Sequence, residues 1–277
     1  MSGSGRDPAE RERQRHGSVF GIRAAAYAEH RPDYPDAAVT WALAPLRGRP
    51  GSARPGGGLR VVDLGAGTGK LTGTLARHTG RVLALEPDPA MLAELRRAVP
   101  GSLPVLARAE QLPLPDASVD AVLAAQSAHW FDLPLAMPEI ARVLRPGGVL
   151  AGLWNTDDDR VGWVAGLAAV MPGLASVPLS RWREQGGDPL SRWLAGAPDA
   201  GFGPASRAEF GHWQQRTADS LVATIATHST VLLMDPAGRA AALAAVREFL
   251  AGQPETAAGP FRLPMVTSVM RAVRRRP

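Results

Sequence analysis

The sequence predicts an α/β fold, a Rossmann-like doubly wound sheet that is mostly parallel. Short apolar runs alternate between residues 59 and 155 with segments that carry helix start and stop signals. Such runs are typical of strands that helices cover on both faces of a parallel sheet. A turn with three glycines directly follows the first run. We therefore expect a ligand site at the carboxyl edge of the sheet, where such folds bind ligands.

The helices are predicted from their end signals. A helix over residues 35–46 precedes a linker rich in Gly, Pro and Arg. Asp88 supplies an N-cap and Pro89 a first-turn proline for the next clear helix, and a helix over residues 134–144 ends at the Arg-Pro-Gly-Gly segment. Two further helices are expected near residues 218–227 and 236–250. The predicted strands are residues 59–64, 81–85, 104–107, 120–125, 149–154, 207–214 and 265–273.

Composition excludes several classes of function. The chain has no cysteine, which excludes disulfides, thiol nucleophiles and cysteine-based metal sites, and nothing in it requires a metal. The formal charge of +5 comes almost wholly from arginine spread along the chain, so we expect no nucleic-acid partner. Residues 161–179 are uncharged but rich in Gly, Pro and Ala, so we expect a cap helix and loop there and no membrane contact. The polar N-terminus predicts a cytoplasmic protein.

The spacing of the glycine turn separates three kinds of nucleotide site. A P-loop requires glycine where Leu64 stands and Ser or Thr where Leu71 stands, so it is excluded. A dinucleotide fingerprint requires its third glycine at Lys70, one residue after Gly69, which weakens a nicotinamide-dependent oxidoreductase without excluding it. The turn is followed by Glu86 at about the 20-residue distance at which an acid can accept from ribose hydroxyls. This pattern favours a nucleoside without a pyrophosphate.

Six motifs together resemble a known enzyme family. The segments VVDLGAGTGKLT and VLALEPDPAML are similar to the first two motifs of class I S-adenosylmethionine (SAM) dependent methyltransferases. The segments YAEHRPDYP, AEQLPLPDASVD, AAQSAHWFD and VLRPGGVLAGLWN resemble the branch that contains trans-aconitate methyltransferase-like and ubiquinone/menaquinone-biosynthesis-like enzymes. The resemblance is strong over residues 27–155. It implies seven strands, of which the last two form an antiparallel hairpin.

The motifs also suggest a division of the chain. We expect a disordered tail over residues 1–18, a helical N-terminal lid with a linker over 19–58, and a SAM-binding core over 59–155. Beyond residue 155 the alternation of strands and helices is lost, and Trp154, Trp163, Trp182 and Trp193 stand at its start and within it among Gly and Pro residues. We expect an inserted cap there, over residues 156–205. Residues 206–277 would complete the core sheet.

The resemblance implies a cofactor site at the carboxyl edge of the sheet. The carboxylate of Glu86 would bind the ribose, and Asp63 would organise the glycine turn through backbone N–H bonds. Arg31 would pair with the carboxylate of SAM. The other expected cofactor contacts are the turn itself, two residues flanking the adenine, two at the adenine edge and two along the methionine part: Gly65, Ala66, Gly67, Thr68, Gly69, Pro87, Met91, Ala109, Glu110, Gln126 and Ser127.

His129 is the candidate catalytic residue, because it follows the fourth strand beside the expected position of the sulfonium. Imidazole has a reference pKa of about 6.5, so it could accept a proton from the attacking group. A purely shaping role in the pocket remains the alternative. We expect Tyr27, Trp130, Trp154 and Trp163 to bind the substrate together with His129, while Trp182 and Trp193 are expected in the core.

The predicted function is the transfer of a methyl group from SAM to an oxygen, nitrogen or carboxylate nucleophile of a small molecule. The alternatives are a SAM-using enzyme that transfers or cyclises another carbon group, such as aminocarboxypropyl, and a non-catalytic SAM-binding protein. The sequence is compatible with a monomer or a homodimer. Positioning and exclusion of water would provide most of the catalysis.

Overall fold

A mixed sheet of seven strands runs through the protein in the order β3–β2–β1–β4–β5–β7–β6. The computed structural model describes residues 32–47, 58–170, 179–184, 187–197, 199–226 and 228–276. Strands β1 to β5 pair in parallel, and β7 lies antiparallel between β5 and β6. The predicted fold class, including the C-terminal antiparallel hairpin, is confirmed. The strands are β1 Val61–Leu64, β2 Val82–Glu86, β3 Leu103–Leu106, β4 Val119–Ala125, β5 Leu144–Asp157, β6 Ser206–Arg216 and β7 Phe261–Val273.

Helices cover both faces of this sheet. Val39 of α1 and Leu75 of α2 pack against one face, while Ile140 of α4 and Leu190 of α7 pack against the other, and each of the four is fully buried. The α-helices are α1 Asp36–Leu43, α2 Lys70–Thr79, α3 Pro89–Ala98, α4 Leu133–Val143, α5 Gly162–Val170, α6 Leu179–Glu184, α7 Pro189–Gly196, α8 Ala218–Ala226, α9 Ser229–Leu232, α10 Pro236–Ala251 and α11 Pro254–Ala257. Two 3₁₀ helices cover Ala44–Leu46 and Ala128–Trp130.

Capping side chains mark the starts of some of the helices, including the predicted start of α3. Asp88 accepts hydrogen bonds from the backbone N–H groups of Ala90 at 2.7 Å and Met91 at 3.2 Å, and Pro89 occupies the first turn of α3. Asp235 caps α10 in the same way. These bonds satisfy N–H groups that the helix itself leaves unpaired. They set the direction in which α3 leaves the carboxyl end of β2.

A separate helical cluster lies beside the sheet. It consists of apolar residues from α5, α8, α9 and α10 packed on the beginning of β7. Within the stretch expected as an inserted cap, α5 joins this cluster, whereas α7 packs on the sheet. The other helices of the helical cluster, α8, α9 and α10, come from the chain between β6 and β7. In the ranges that the structure describes, no helix is both long and apolar enough to cross a membrane.

Candidate cofactor and active site

The glycine turn connects β1 to α2 in a left-handed backbone conformation. Gly65, Gly67 and Gly69 have φ angles of 69°, 55° and 91°. A Cβ atom on Gly65 would lie 2.5 Å from Cβ of Ser127, so a side chain cannot fit there. A Cβ atom on Gly67 would meet nothing within 4 Å. The turn is thus packed against β4 at its beginning and open at its middle, where a ligand could approach the backbone.

The N–H groups of the turn bond to the neighbouring strand β2. Gly65 and Ala66 both donate to the carbonyl oxygen of Leu85, at 2.8 and 3.0 Å, and Gly67 donates to Oε2 of Glu86 at 2.9 Å. We expected Asp63 to organise these groups. Instead, Asp63 accepts a hydrogen bond from the hydroxyl of Thr72 at 2.6 Å and so ties β1 to α2. The shape of the turn follows from β2, because the end of β2 lies beside it in the sheet.

Asp63 is a buried acid beneath the turn. It is fully buried, and its Oδ1 atom has no hydrogen-bond partner. Burial is the main cause that raises its pKa to about 7, and the charge of Glu86 adds to this, while the bond from Thr72 opposes it. The hydroxyl of Thr68 in the turn is also buried without a partner. Buried polar atoms with unused hydrogen-bonding capacity therefore lie both in β1 and in the turn itself.

Glu86 stands at the carboxyl end of β2 with its side chain against the turn. Only 8% of the residue is exposed, and the carboxylate accepts the N–H groups of Gly67 at 2.9 Å and Asp88 at 3.0 Å. Burial raises the pKa of Glu86, and these two bonds oppose that rise. A carboxylate has about four lone-pair positions, so two remain for hydroxyl donors. This geometry fits the ribose contact that the sequence predicts.

Gln126 and Ser127 bring the end of β4 to the same edge. The hydroxyl of Ser127 donates to the carbonyl of Leu64 at 2.8 Å, which fastens β4 to the end of β1. Gln126 has a φ angle of 48°, which is uncommon for a residue with a side chain. Its Oε1 atom accepts a hydrogen bond from Tyr34 at 3.2 Å. Such strained positions cluster at functional sites.

The residues expected near the adenine occupy two loops. Ala109 is buried after β3, and Glu110 beside it accepts the N–H of Asp132 at 2.8 Å, which holds the loop after β4 in place. Met91 is buried in the first turn of α3, and Pro87 is exposed after β2. The structure brings both loops to the carboxyl edge of the sheet. Contact of these residues with adenine stays a prediction.

His129 and Trp130 lie together in the 3₁₀ helix that follows β4. Their rings are 4.6 Å apart between centroids at an interplanar angle of 47°, and both residues are exposed. They follow Gln126 and Ser127 directly, so they lie at the edge where the cofactor is expected. An exposed imidazole beside an indole can meet an acceptor molecule from solvent.

The other expected substrate residues are placed differently. Trp154 packs over Gly152, where a Cβ atom would lie 2.2 Å from the indole, so its ring extends back along β5 from the carboxyl edge. It also contacts Trp182 at 5.4 Å between ring centroids. Trp163 packs edge-on against Phe261 within the helical cluster, so substrate contact by Trp154 and Trp163 stays a prediction. Trp182 and Trp193 pack against the core as expected, and Tyr27 and Arg31 lie outside the described residues.

Three polar contacts at this edge were not predicted from the sequence. The Nζ atom of Lys70 lies 3.2 Å from Oδ1 of Asp33, and Nδ2 of Asn155 donates to the carbonyl of Asp33 at 3.2 Å. Tyr34 reaches Gln126, as described above. The available signal was a polar residue, Asn155, directly after the apolar run of residues 149–154. Within the described ranges, no group of His, Asp and Glu residues has the arrangement of a metal site.

Comparison with known proteins identifies the family of this fold and site. Residues 62–152 match the methyltransferase domain family. The methyltransferase Mb3374 of Mycobacterium bovis is 39% identical over 254 residues, which cover 91% of this chain and 94% of that protein. A malonyl-[acyl-carrier protein] O-methyltransferase of Serratia marcescens is 40% identical over 101 residues, covering 36% of this chain and 39% of that protein.

A solved structure supports the same assignment. A protein from Anaeromyxobacter dehalogenans, assigned as a type II methyltransferase, is 28% identical and aligns with a TM-score of 0.59. The alignment covers 88% of this chain and 97% of the other. The similarity to the mycobacterial relative also extends over most of both sequences. The chain therefore belongs to the class I methyltransferase family.

Proposed function

We propose that the protein transfers a methyl group from SAM to a small-molecule acceptor. The observation that carries this proposal is the open face of Gly67 beside the buried carboxylate of Glu86 at the carboxyl edge of the sheet. An open turn allows a nucleoside to lie against the backbone, and the carboxylate can accept its ribose hydroxyls. The spacing of the turn favours a nucleoside without a pyrophosphate over a dinucleotide.

The residues of this edge fit the parts of SAM. Glu86 would hold the ribose, and the backbone of the turn would lie against the nucleoside. Gln126 and Ser127 would line the methionine part, with Pro87, Met91, Ala109 and Glu110 about the adenine. When bound, SAM supplies a methyl group on a sulfonium that is already activated for attack. The protein then has to orient the acceptor in line and exclude water.

His129 would receive the proton of an acceptor hydroxyl or amine on an imidazole nitrogen as the acceptor attacks. General bases positioned in this way accelerate a reaction by about 10²–10⁴-fold. Trp130 would shield one side of the acceptor, since its ring lies against that of His129. A carboxylate acceptor would need no base. The similarity to an O-methyltransferase supports an oxygen nucleophile.

The test is to incubate the purified protein with SAM and a metabolite library and to analyse both products by mass spectrometry. We expect S-adenosylhomocysteine together with a mass gain of one methyl group in one acceptor. Methylthioadenosine in place of S-adenosylhomocysteine would indicate transfer of a different carbon group. Protection of the protein against heat by NADPH, without protection by SAM, would support an oxidoreductase instead.

A further inference from the structure

Residues 32–35 form a short segment without regular secondary structure that enters α1, and we call this segment the strap. Asp33 of the strap lies 3.2 Å from Lys70, the first residue of α2 after the glycine turn. Tyr34 donates to Gln126, the first residue after β4, and Asn155 near the end of β5 donates to the carbonyl of Asp33. The partners of the strap therefore stand at the carboxyl ends of β1, β4 and β5. The strap crosses the edge at which the cofactor is proposed to bind.

The side chain of Asn155 is buried and is held at both ends. Its Oδ1 atom accepts a hydrogen bond from Thr267 of β7 at 2.5 Å, and its Nδ2 atom donates to the strap at 3.2 Å. The hydroxyl of Thr267 has one proton, which it gives to Asn155, so Nε2 of His212 donates to it at 3.1 Å. The carbonyl of Asp33 can only accept a hydrogen bond, so the Nδ2 end of the amide faces it and the Oδ1 end faces Thr267. Strands β6 and β7 thus determine the orientation of a group that contacts the strap.

Asn155 also supports Gln126 through its backbone. The Nε2 atom of Gln126 lies 3.4 Å from the carbonyl oxygen of Asn155, and its Oε1 atom accepts from Tyr34. The backbone N–H of Gln126 donates to Leu153 at 2.9 Å. These contacts hold Gln126 in its left-handed conformation. Asn155 therefore acts on the cofactor edge, the carboxyl edge of the sheet where SAM is proposed to bind, by two routes. One route is through the strap and the other is through Gln126.

We propose that Asn155 is a positioning residue for the cofactor: its amide holds the carbonyl of Asp33 and keeps the strap across the edge where SAM binds. The inference rests on the proposed function and names a residue that acts through others. Its contribution should appear in the affinity for SAM, while kcat at saturating SAM changes little. Replacing a residue that is needed only for folding would lower stability without weakening SAM binding selectively relative to kcat.

The critical variant is Asn155→Asp, which has nearly the same shape. It keeps an oxygen acceptor for Thr267 but replaces the donor to Asp33 with an oxygen. The matched control is Thr156→Val, since Thr156 is the adjacent buried residue and loses a bond to the carbonyl of Val266 at 3.3 Å without touching the strap. A second variant, Tyr34→Phe, removes one strap hydroxyl without burying a charge.

Titration calorimetry gives the dissociation constant for SAM. We expect it to rise about tenfold in Asn155→Asp and about fivefold in Tyr34→Phe, as for the loss of one hydrogen bond. Thr156→Val should stay within about twofold of the natural protein, because an unrelated bond is lost. Unchanged affinity for SAM in both Asn155→Asp and Tyr34→Phe would overturn the inference.

A second measurement is independent of SAM. Lys70 is the only lysine in the sequence, so reductive methylation with ¹³C-formaldehyde labels it and the N-terminal amine alone, and the signal that is missing from Lys70→Arg identifies Lys70. We expect the Lys70 signal to shift in Asn155→Asp and to stay in place in Thr156→Val. If the natural protein fails to bind SAM, the proposed function is wrong, yet this signal still reports on the strap. An unmoved Lys70 signal in Asn155→Asp would overturn the inference.

Discussion

Ser127 packs against Gly65 so closely that a Cβ atom on the glycine would lie 2.5 Å from Cβ of Ser127. The same serine donates its hydroxyl to Leu64 of β1 at 2.8 Å. The ends of β1 and β4 are thus joined directly beneath the glycine turn. This contact makes the turn a rigid part of the sheet edge, since both strands are buried there. A ligand can then meet a backbone whose shape is already set before binding.

Two alanine substitutions in the turn should have different effects. Gly65→Ala should lower stability by about 2–3 kcal/mol, because it combines a left-handed residue with a clash against Ser127. Gly67→Ala has open space and should cost only about 1 kcal/mol, but it should weaken SAM binding. Chemical denaturation and calorimetry measure the two quantities. Equal loss of stability in both variants would show that the packing against Ser127 is unimportant.

Glu86→Gln should weaken SAM binding by about tenfold or more. Hydrogen bonds to a charged group contribute about 1.5–3 kcal/mol, and the amide also presents a donor toward the N–H of Gly67 or Asp88. Glu94→Gln is the control, since Glu94 pairs with Arg97 on α3. We expect the control to bind SAM normally in the same titration. Normal binding by Glu86→Gln would remove Glu86 from the ribose site.

Asp63→Asn should stabilise the protein increasingly as the pH rises. The folded-state pKa of Asp63 is about 7, above its usual 3.8, so the folded state binds the proton more tightly. Its favourable contribution is complete below pH 3.8 and is lost as the pH rises through 7. Asparagine keeps an acceptor for Thr72 and carries no charge.

Thermal unfolding of both proteins at several pH values tests this. We expect the difference in unfolding free energy between the variant and the natural protein to be smallest below about pH 4, to grow as the pH rises to 7, and to reach a few kcal/mol near pH 8, with about 1.36 kcal/mol for each unit of pKa shift. A difference that is constant with pH would mean that Asp63 titrates as in the unfolded chain.

His129→Gln should reduce kcat by about 10²–10⁴-fold if the acceptor loses a proton during attack. SAM binding should be unchanged, because His129 lies beyond Gln126 and Ser127 on the exposed 3₁₀ helix. His78→Gln is the control, since His78 contacts Asp36 at 2.9 Å at the end of α2. Full activity of His129→Gln would assign the residue a shaping role or indicate a carboxylate acceptor.

Much of the sheet could be predicted from the sequence. The apolar runs identified the strands within a few residues, and the Asp88 cap placed the start of α3 correctly. The partners of polar groups were harder to predict. The role expected for Asp63 belongs to Leu85 and Glu86, because the strand that lies beside the turn is known only from the sheet. The placement of the Trp154 ring over Gly152 could not be predicted either, because χ angles depend on the space that neighbouring residues leave.

By itself, the sequence determined the alternation of strands and helices, the left-handed glycine turn and the acid that follows it. These features depend on backbone preferences and on spacing along one stretch of chain, so they can be predicted from a short stretch of sequence. Only the tertiary structure decided which distant groups meet at the cofactor edge. Ser127 reaches Leu64 across 63 residues, and Asn155 reaches Asp33 across 122. Parallel pairing brings the carboxyl ends of separate strands together, and the packing of the sheet then determines which polar atoms are left to face one another.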